Sequence, residues 1–363
     1  MTDATGAAPA SAASGDLGAV ATRGGRLRAG VIGCGVGSNH AYAYQQHPQV
    51  DLVAVCDVNA AIFEKVYAGA GVERGAVRTY TDYKEMLRAE KLDLVSVATP
   101  DQYHAGPVTE AAAAGVAGIL CEKPIASSLA DADRMIEAVE RYGTKMLVDH
   151  TRNFDAAYVE VRNRVRQGEI GTLTRIVAYL GGKRAMLFRN ATHLLGSVCF
   201  YAESSPTWVV AALDQGFEDY GLEYKGEGGK NPALDPGATL MIHFANGVRA
   251  LVMASKRTPA FGVQLDLLGT RGRIVVGDRE TRAWECADEE GVMQPREVTW
   301  RQGIDGSLGA RLVPAVDHLI AMIRDDVPAD SPPRAARDVL ELLFGALRSQ
   351  AEGMTPIHLP APR

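Results

Sequence analysis

The stretch LRAGVIGCGVGSNH, residues 27–40, joins a short apolar run to a glycine-rich turn and then to a helical pattern. Glycines in such a turn permit a sharp reversal and a close approach of backbone to a diphosphate, and the unpaired N–H groups of the helix that follows face the anion. The residues in position to do this are Gly33, Gly35, Val36, Gly37 and Ser38. In a G-x-G-x-x-G pattern the third glycine falls on Ser38, with Gly37 one place early, so the match is imperfect. The next apolar run, VDLVAVCD (50–57), supplies the rest of the signal. Asp57 stands 24 positions after Gly33, where a carboxylate accepts hydrogen bonds from ribose hydroxyls. That carboxylate repels a 2′-phosphate, and Val58-Asn59 brings no arginine to receive one. The pattern predicts a dinucleotide site that prefers NAD over NADP.

Working outward, three more apolar runs follow at 92–99, 116–122 and 145–149. All are continuous rather than alternating, as strands covered on both faces are. Helical patterns separate the runs at 38–47, 59–70, 83–90, 103–114 and 128–142, the last opening on a loose capping box, Ser-Leu-Ala-Asp. Strand and helix alternating at this spacing predict right-handed crossovers and a doubly wound parallel sheet over residues 27–150. Residues 1–26, rich in Ala, Gly, Ser, Thr and Pro, read as a disordered tail. After His150 the texture turns β-rich, with hairpin signals at ANG (245–247) and GTRG (269–272), and two helices close the chain. The fold class is α/β: a doubly wound parallel domain, then an α+β domain (151–363) with a large, mostly antiparallel sheet.

Composition narrows the function. The 363 residues carry 38 Lys plus Arg against 44 Asp plus Glu, a net charge of -6, which offers no basic footprint for nucleic acid or anionic membrane. No run reaches the ~18 apolar residues of a spanning helix. The five cysteines are scattered, without a C-x-x-C pair or histidines at zinc spacing, so no metal site is expected and a reducing, cytoplasmic location fits. A secretory or twin-arginine leader has no counterpart in the first residues. A small molecule is the expected partner.

Two further segments follow strand-like runs: Ala98-Thr99-Pro100-Asp101-Gln102-Tyr103-His104 and Cys121-Glu122-Lys123-Pro124. Ligands of doubly wound sheets bind beyond the carboxyl ends of the strands, so Thr99, Pro100, His104, Glu122 and Lys123 are expected around the cofactor. An A-T-P-x-x-x-H segment followed by E-K-P, after a glycine-rich turn, resembles the glucose-fructose oxidoreductase, inositol dehydrogenase and rhizopine catabolism (Gfo/Idh/MocA) family. The resemblance extends to His150-Thr151-Arg152-Asn153-Phe154-Asp155, to Gly168-Glu169-Ile170-Gly171 and to Asn190-Ala191-Thr192-His193-Leu194-Leu195. It implies a Rossmann domain followed by an open-faced sheet, and NAD(P)-dependent oxidation of a secondary alcohol on a sugar, aminosugar or cyclitol.

Removing a hydride from a carbinol requires a base for the hydroxyl proton and a positive group beside the developing alkoxide. By resemblance, Lys123 lies near nicotinamide and substrate oxygen, and His193 takes the proton. Arg152, Arg189 and Asn190 are candidate substrate ligands, within a basic stretch that includes Lys183 and Arg184. Tyr220, Tyr224 and Trp300 are candidates for stacking on a sugar ring, although packing is the commoner role. Family members commonly carry Asp four residues before this histidine and often three after it; here Arg189 and Gly196 stand there. That departure keeps two alternatives open: a lyase or glycosidase that oxidises its sugar transiently, and a non-enzymatic NAD-responsive regulator. Apolar positions in TLMIHF (239–244) and RALVMAS (249–255) predict a homodimer or homotetramer formed through the second sheet.

Overall fold

The structure is a computed structural model and describes residues 25–215, 222–224, 234–260, 262–286, 292–296 and 306–360. The predicted tail lies outside the described residues apart from Gly25 and Arg26. Six parallel strands form the first sheet: β1 (Leu27–Ile32), β2 (Val50–Cys56), β3 (Arg78–Tyr80), β4 (Leu94–Val97), β5 (Gly118–Cys121) and β6 (Lys145–Val148). Their order is β3-β2-β1-β4-β5-β6, the doubly wound arrangement whose switch point lies between β1 and β4. Every residue of β4 and β5 is buried, as continuous apolar runs between helical layers require. The five helices expected in this half are present, with ends shifted by a few residues; 59–62 form a separate turn before the helix Phe63–Ala70. At the last one, Leu129–Tyr142, the Ser128 hydroxyl accepts from Asp131 N at 3.1 Å, the expected cap.

Nine strands form the second sheet, in the order β14-β13-β12-β11-β7-β10-β9-β8-β15. They are β7 (Leu173–Gly181), β8 (Pro206–Leu213), β9 (Ala238–Phe244), β10 (Arg249–Ser255), β11 (Gly262–Gly269), β12 (Gly272–Gly277), β13 (Thr281–Cys286), β14 (Met293–Arg296) and β15 (Ile357–His358). All pairs are antiparallel except β7 with β10. Both hairpins form where expected, β9 to β10 across Asn246-Gly247 and β11 to β12 across Thr270-Arg271. The helices Ala191–Ala202 and Pro333–Ala351 cover one face. Burial alternates along β9 and β10, and on the other face Met241, Leu251 and Met253 are exposed. The remaining C-terminal helix, Leu308–Arg324, returns to the first sheet, where Leu312, Ala315, Val316 and Leu319 share a core with Leu27, Val31 and Tyr44. No helix among the described residues is long and apolar enough to cross a membrane.

Candidate active site

The turn after β1 assigns a separate role to each glycine. Gly33 has φ +86°, and a Cβ there would stand 2.5 Å from Ala98 O, so only glycine passes so close to the end of β4. A Cβ on Gly35 would meet nothing within 4 Å, which leaves the backbone there open to a ligand. A Cβ on Gly37 would meet Val31 Cγ1 at 2.8 Å, so Gly37 allows the helix Gly37–Gln46 to pack on its strand. These are the three roles of a dinucleotide turn. Gly37, rather than Ser38, is therefore the third glycine, and the turn is one residue shorter than the consensus. Ser38 is buried and donates to Gly35 O at 3.1 Å, while Val36 is exposed at the turn. The sequence pattern did not single out Lys65, whose ammonium donates to Gly35 O at 2.6 Å from the helix Phe63–Ala70.

Beside this turn lies a cavity of about 560 Å³ lined by Gly33, Asp57, Val58, Thr99, Pro100 and Arg134, among others. Asp57 accepts from Cys34 N at 2.8 Å and Asn59 N at 2.9 Å, which fixes its carboxylate at the cavity edge. Thr99 Oγ1 is buried without a hydrogen-bond partner among the described residues. An acidic strand end and an unpaired hydroxyl on one cavity at the switch point, with the open Gly35 in the turn beside it, fit a dinucleotide.

Two predicted cofactor residues act differently. His104 is fully buried, with Nδ1 at 3.1 Å from Pro124 O and 3.2 Å from Ile125 O, and Nε2 at 2.9 Å from Thr99 O. Its ring is spent on backbone carbonyls, so it braces the two loops and does not face the cavity. Glu122 Oε1 lies 3.2 Å from His40 Nε2, and Glu122 Oε2 accepts from Lys123 N at 3.2 Å. Burial opposes its ionised form, but the His40 hydrogen bond, Lys123 and His104 outweigh this and push it down to about 2. Glu122 is thus an anionic support beneath Lys123.

Lys123, at the end of the first sheet, touches the turn that leads to the helix of His193. Lys123 Nζ donates to Arg189 O at 3.1 Å, in the turn leading to the helix Ala191–Ala202. Asp235 anchors that turn by accepting from Phe188 N at 3.2 Å and Arg189 N at 3.1 Å. Burial, reinforced by Lys123, Arg152, His150 and Arg184, holds His193 well below the usual histidine range, so its imidazole is neutral at pH 7. Asn190 is half-buried at the start of the same helix. Arg152 is committed elsewhere: Nε and Nη2 donate to Asp278 at 2.7 and 2.6 Å. Of the basic stretch, Lys183 and Arg184 are exposed and Arg189 is half-buried. Tyr224 packs, stacked on Phe188 at 4.1 Å between centroids and donating to Asp101. Tyr220 and Trp300 lie outside the described residues.

Residues to which the sequence assigned no role lie around this site. His40 bridges Ser96 Oγ at 3.0 Å and Glu122. Asp149, just past β6, is buried with Oδ1 unpartnered among the described residues; burial and the Glu122 carboxylate push it up to about 7. His150 is buried edge-on to His193, with ring centroids 6.2 Å apart. Its ring occupies the space over Gly196, where a Cβ would stand 2.5 Å from His150 Cδ2.

A doubly wound parallel sheet and a broad second sheet, one of whose covering helices carries His193, come together beside the strand ends. Residues 27–150 match the Gfo/Idh/MocA model, described as an oxidoreductase family with an NAD-binding Rossmann fold. The chain is 40% identical over 148 residues to a D-apiose dehydrogenase of Paraburkholderia graminis, covering 40% of this chain and 38% of that protein. It is 33% identical over 150 residues to an inositol 2-dehydrogenase of Salmonella typhimurium, covering 40% of this chain and 43% of that one. The alignments thus span less than half of either relative. Across nearly the whole molecule, the fold is similar to a levoglucosan dehydrogenase solved with NADH and L-sorbose, with a TM-score of 0.76 at 19% identity over 93% of this chain and all of that one.

Proposed function

We propose that the chain is an NAD-dependent oxidoreductase that transfers a hydride between a secondary alcohol of a sugar, aminosugar or cyclitol and the nicotinamide. The observation that carries this reading is the contact of Lys123, at a strand end of the parallel sheet, with the turn leading to a neutral His193. NAD, when bound, supplies the hydride acceptor. The protein's own part is proton and charge management. Neutral His193 takes the hydroxyl proton, and the Lys123 ammonium, aimed by Arg189 O and backed by Glu122, stabilises the alkoxide. The two dehydrogenases aligned with this chain, named for D-apiose and inositol, support a polyol substrate.

Asp57 at the cavity edge favours NAD over NADP by repelling a 2′-phosphate. We read residues 27–150 as the cofactor domain and 151–363 as the substrate domain. The exposed Met241, Leu251 and Met253 are read as the contact between copies in a homodimer or homotetramer. Sedimentation of a monomer at micromolar concentration would refute that contact. Cys34, Cys56, Cys121 and Cys199 are buried and outside any disulfide, which fits a cytoplasmic enzyme. The test of function is formation of NADH from NAD with a panel of aldoses, aminosugars and inositols; at least one should react, and NADP should serve less well. A panel without any NADH contradicts the reading.

A further inference from the structure

His150 borders two compartments. On one side lie Lys123 and His193. On the other is a cavity of about 320 Å³ between the helices Ala191–Ala202 and Pro333–Ala351, whose lining includes His150, Gly196 and Ser331 but neither Lys123 nor His193. Its rim residues Arg166, Glu203 and Arg334 are exposed, so the cavity opens to solvent. Three buried polar atoms of its lining residues have no hydrogen-bond partner among the described residues: His150 Nε2, Asn153 Oδ1 and Arg162 Nε. Buried polar atoms left unpaired in a roomy cavity mark places for water. His193 Nδ1, across the ring contact, is likewise buried and unpartnered among the described residues. The second nitrogen of His150, Nδ1, stands 3.5 Å from Ser331 Oγ, which lines the same cavity.

We propose that His150 is a proton relay, carrying the proton of the substrate hydroxyl from His193 to water in this rear cavity. The inference rests on the dehydrogenase reading above. In the oxidising direction the alcohol O–H bond breaks and its proton joins one nitrogen of His193, while the hydride leaves carbon for the nicotinamide, the oxidant. His193 Nδ1 then gives up a proton through one bridging water to His150 Nε2, and His150 Nδ1 releases one past Ser331 Oγ to cavity water. One proton leaves per turnover and both imidazoles return to neutral. The absent side chain at Gly196 makes the path possible, since any Cβ there displaces the His150 ring. Lys123 and Glu122 face His150 from the end of β5, and His193 from the helix beside it. Burial and Lys123 push His150 down to about 4, so it passes a proton without retaining it.

The test compares wild type with His150→Phe, which keeps a ring over Gly196 but carries no proton, and with His150→Ala. In saturating NAD and polyol, His150→Phe should lose about 10²-fold in kcat at pH 7. The loss should shrink as pH and buffer concentration rise, with KM and NAD affinity unchanged. Imidazole added to His150→Ala should restore much of the rate, which a packing role does not allow. A His150→Phe kcat within about twofold of wild type, or a His150→Ala loss indifferent to imidazole, overturns the relay and leaves the dehydrogenase reading standing. Wild type that makes no NADH from any polyol overturns both, for no proton is then released.

Discussion

Asp149 shows how a single buried carboxyl is set by its neighbours. Burial and Glu122 raise it to about 7, while Glu122 itself is driven down by His40 and Lys123, so of the two acids Asp149 holds the proton. The sign follows from linkage. Below the usual aspartate pKa near 3.8 both folded and unfolded chains hold this proton, and between 3.8 and about 7 only the folded chain does. Asp149 therefore contributes stability at low pH that is lost as pH rises through that window. Asp149→Asn should flatten this part of the profile, so that its urea midpoint exceeds that of wild type at pH 8 by more than at pH 5. Equal differences at the two values count against the shift. The residue scale is also where the sequence was least legible. Asp57 stood out by its spacing from the glycine turn, and Lys123 and His193 by the resemblance of their segments to a family pattern. Asp149 and His150 did not, because their meaning depends on Gly196 and Glu122, which are remote in sequence.

Among elements, the junction of the two sheets is held by Asp278, at the end of β12. It accepts from Arg152 Nε and Nη2, from Tyr158 OH at 3.0 Å and from Val263 N at 3.0 Å, joining β11, the turn after β6 and the helix Ala156–Arg166. Arg152 and Asp278 side chains are 17% and 22% exposed, so breaking the pair leaves a largely buried guanidinium alone. Asp278→Ala should destabilise by about 3 kcal/mol, and adding Arg152→Met should recover part of the loss. A loss below about 1 kcal/mol in urea unfolding counts against this junction. Arg152 was read as joining the basic cluster of Lys183, Arg184 and Arg189 around a substrate; nothing local revealed that a carboxylate 126 residues away holds it. Element types were legible where a period or a cap is local, as at 128–142. The three-residue β3 was not, since Arg-Thr-Tyr is too short to show one.

At the scale of the molecule, the parallel sheet followed from continuous apolar runs and the hairpins from ANG and GTRG. The return of Leu308–Arg324 to the first sheet did not, because an amphipathic stripe shows that a helix packs, not against what. One buried cluster runs from Ile119 and Met135 of the first half to Ile176, Leu194 and Leu343 of the second, so the strand ends bearing Lys123 and the helix bearing His193 share a continuous core. That shared packing holds the two in register for chemistry. In this reading the pair moves proton and charge where the nicotinamide end must reach, while the cavity lined by Gly33, Asp57 and Thr99 receives the rest of the dinucleotide. The most direct measurement is turnover with NAD and a reactive polyol, together with calorimetric NAD affinity, for wild type and Lys123→Ala. Lys123→Ala should lose at least about 10²-fold in kcat, with NAD affinity within about twofold of wild type. Full turnover by Lys123→Ala would contradict it.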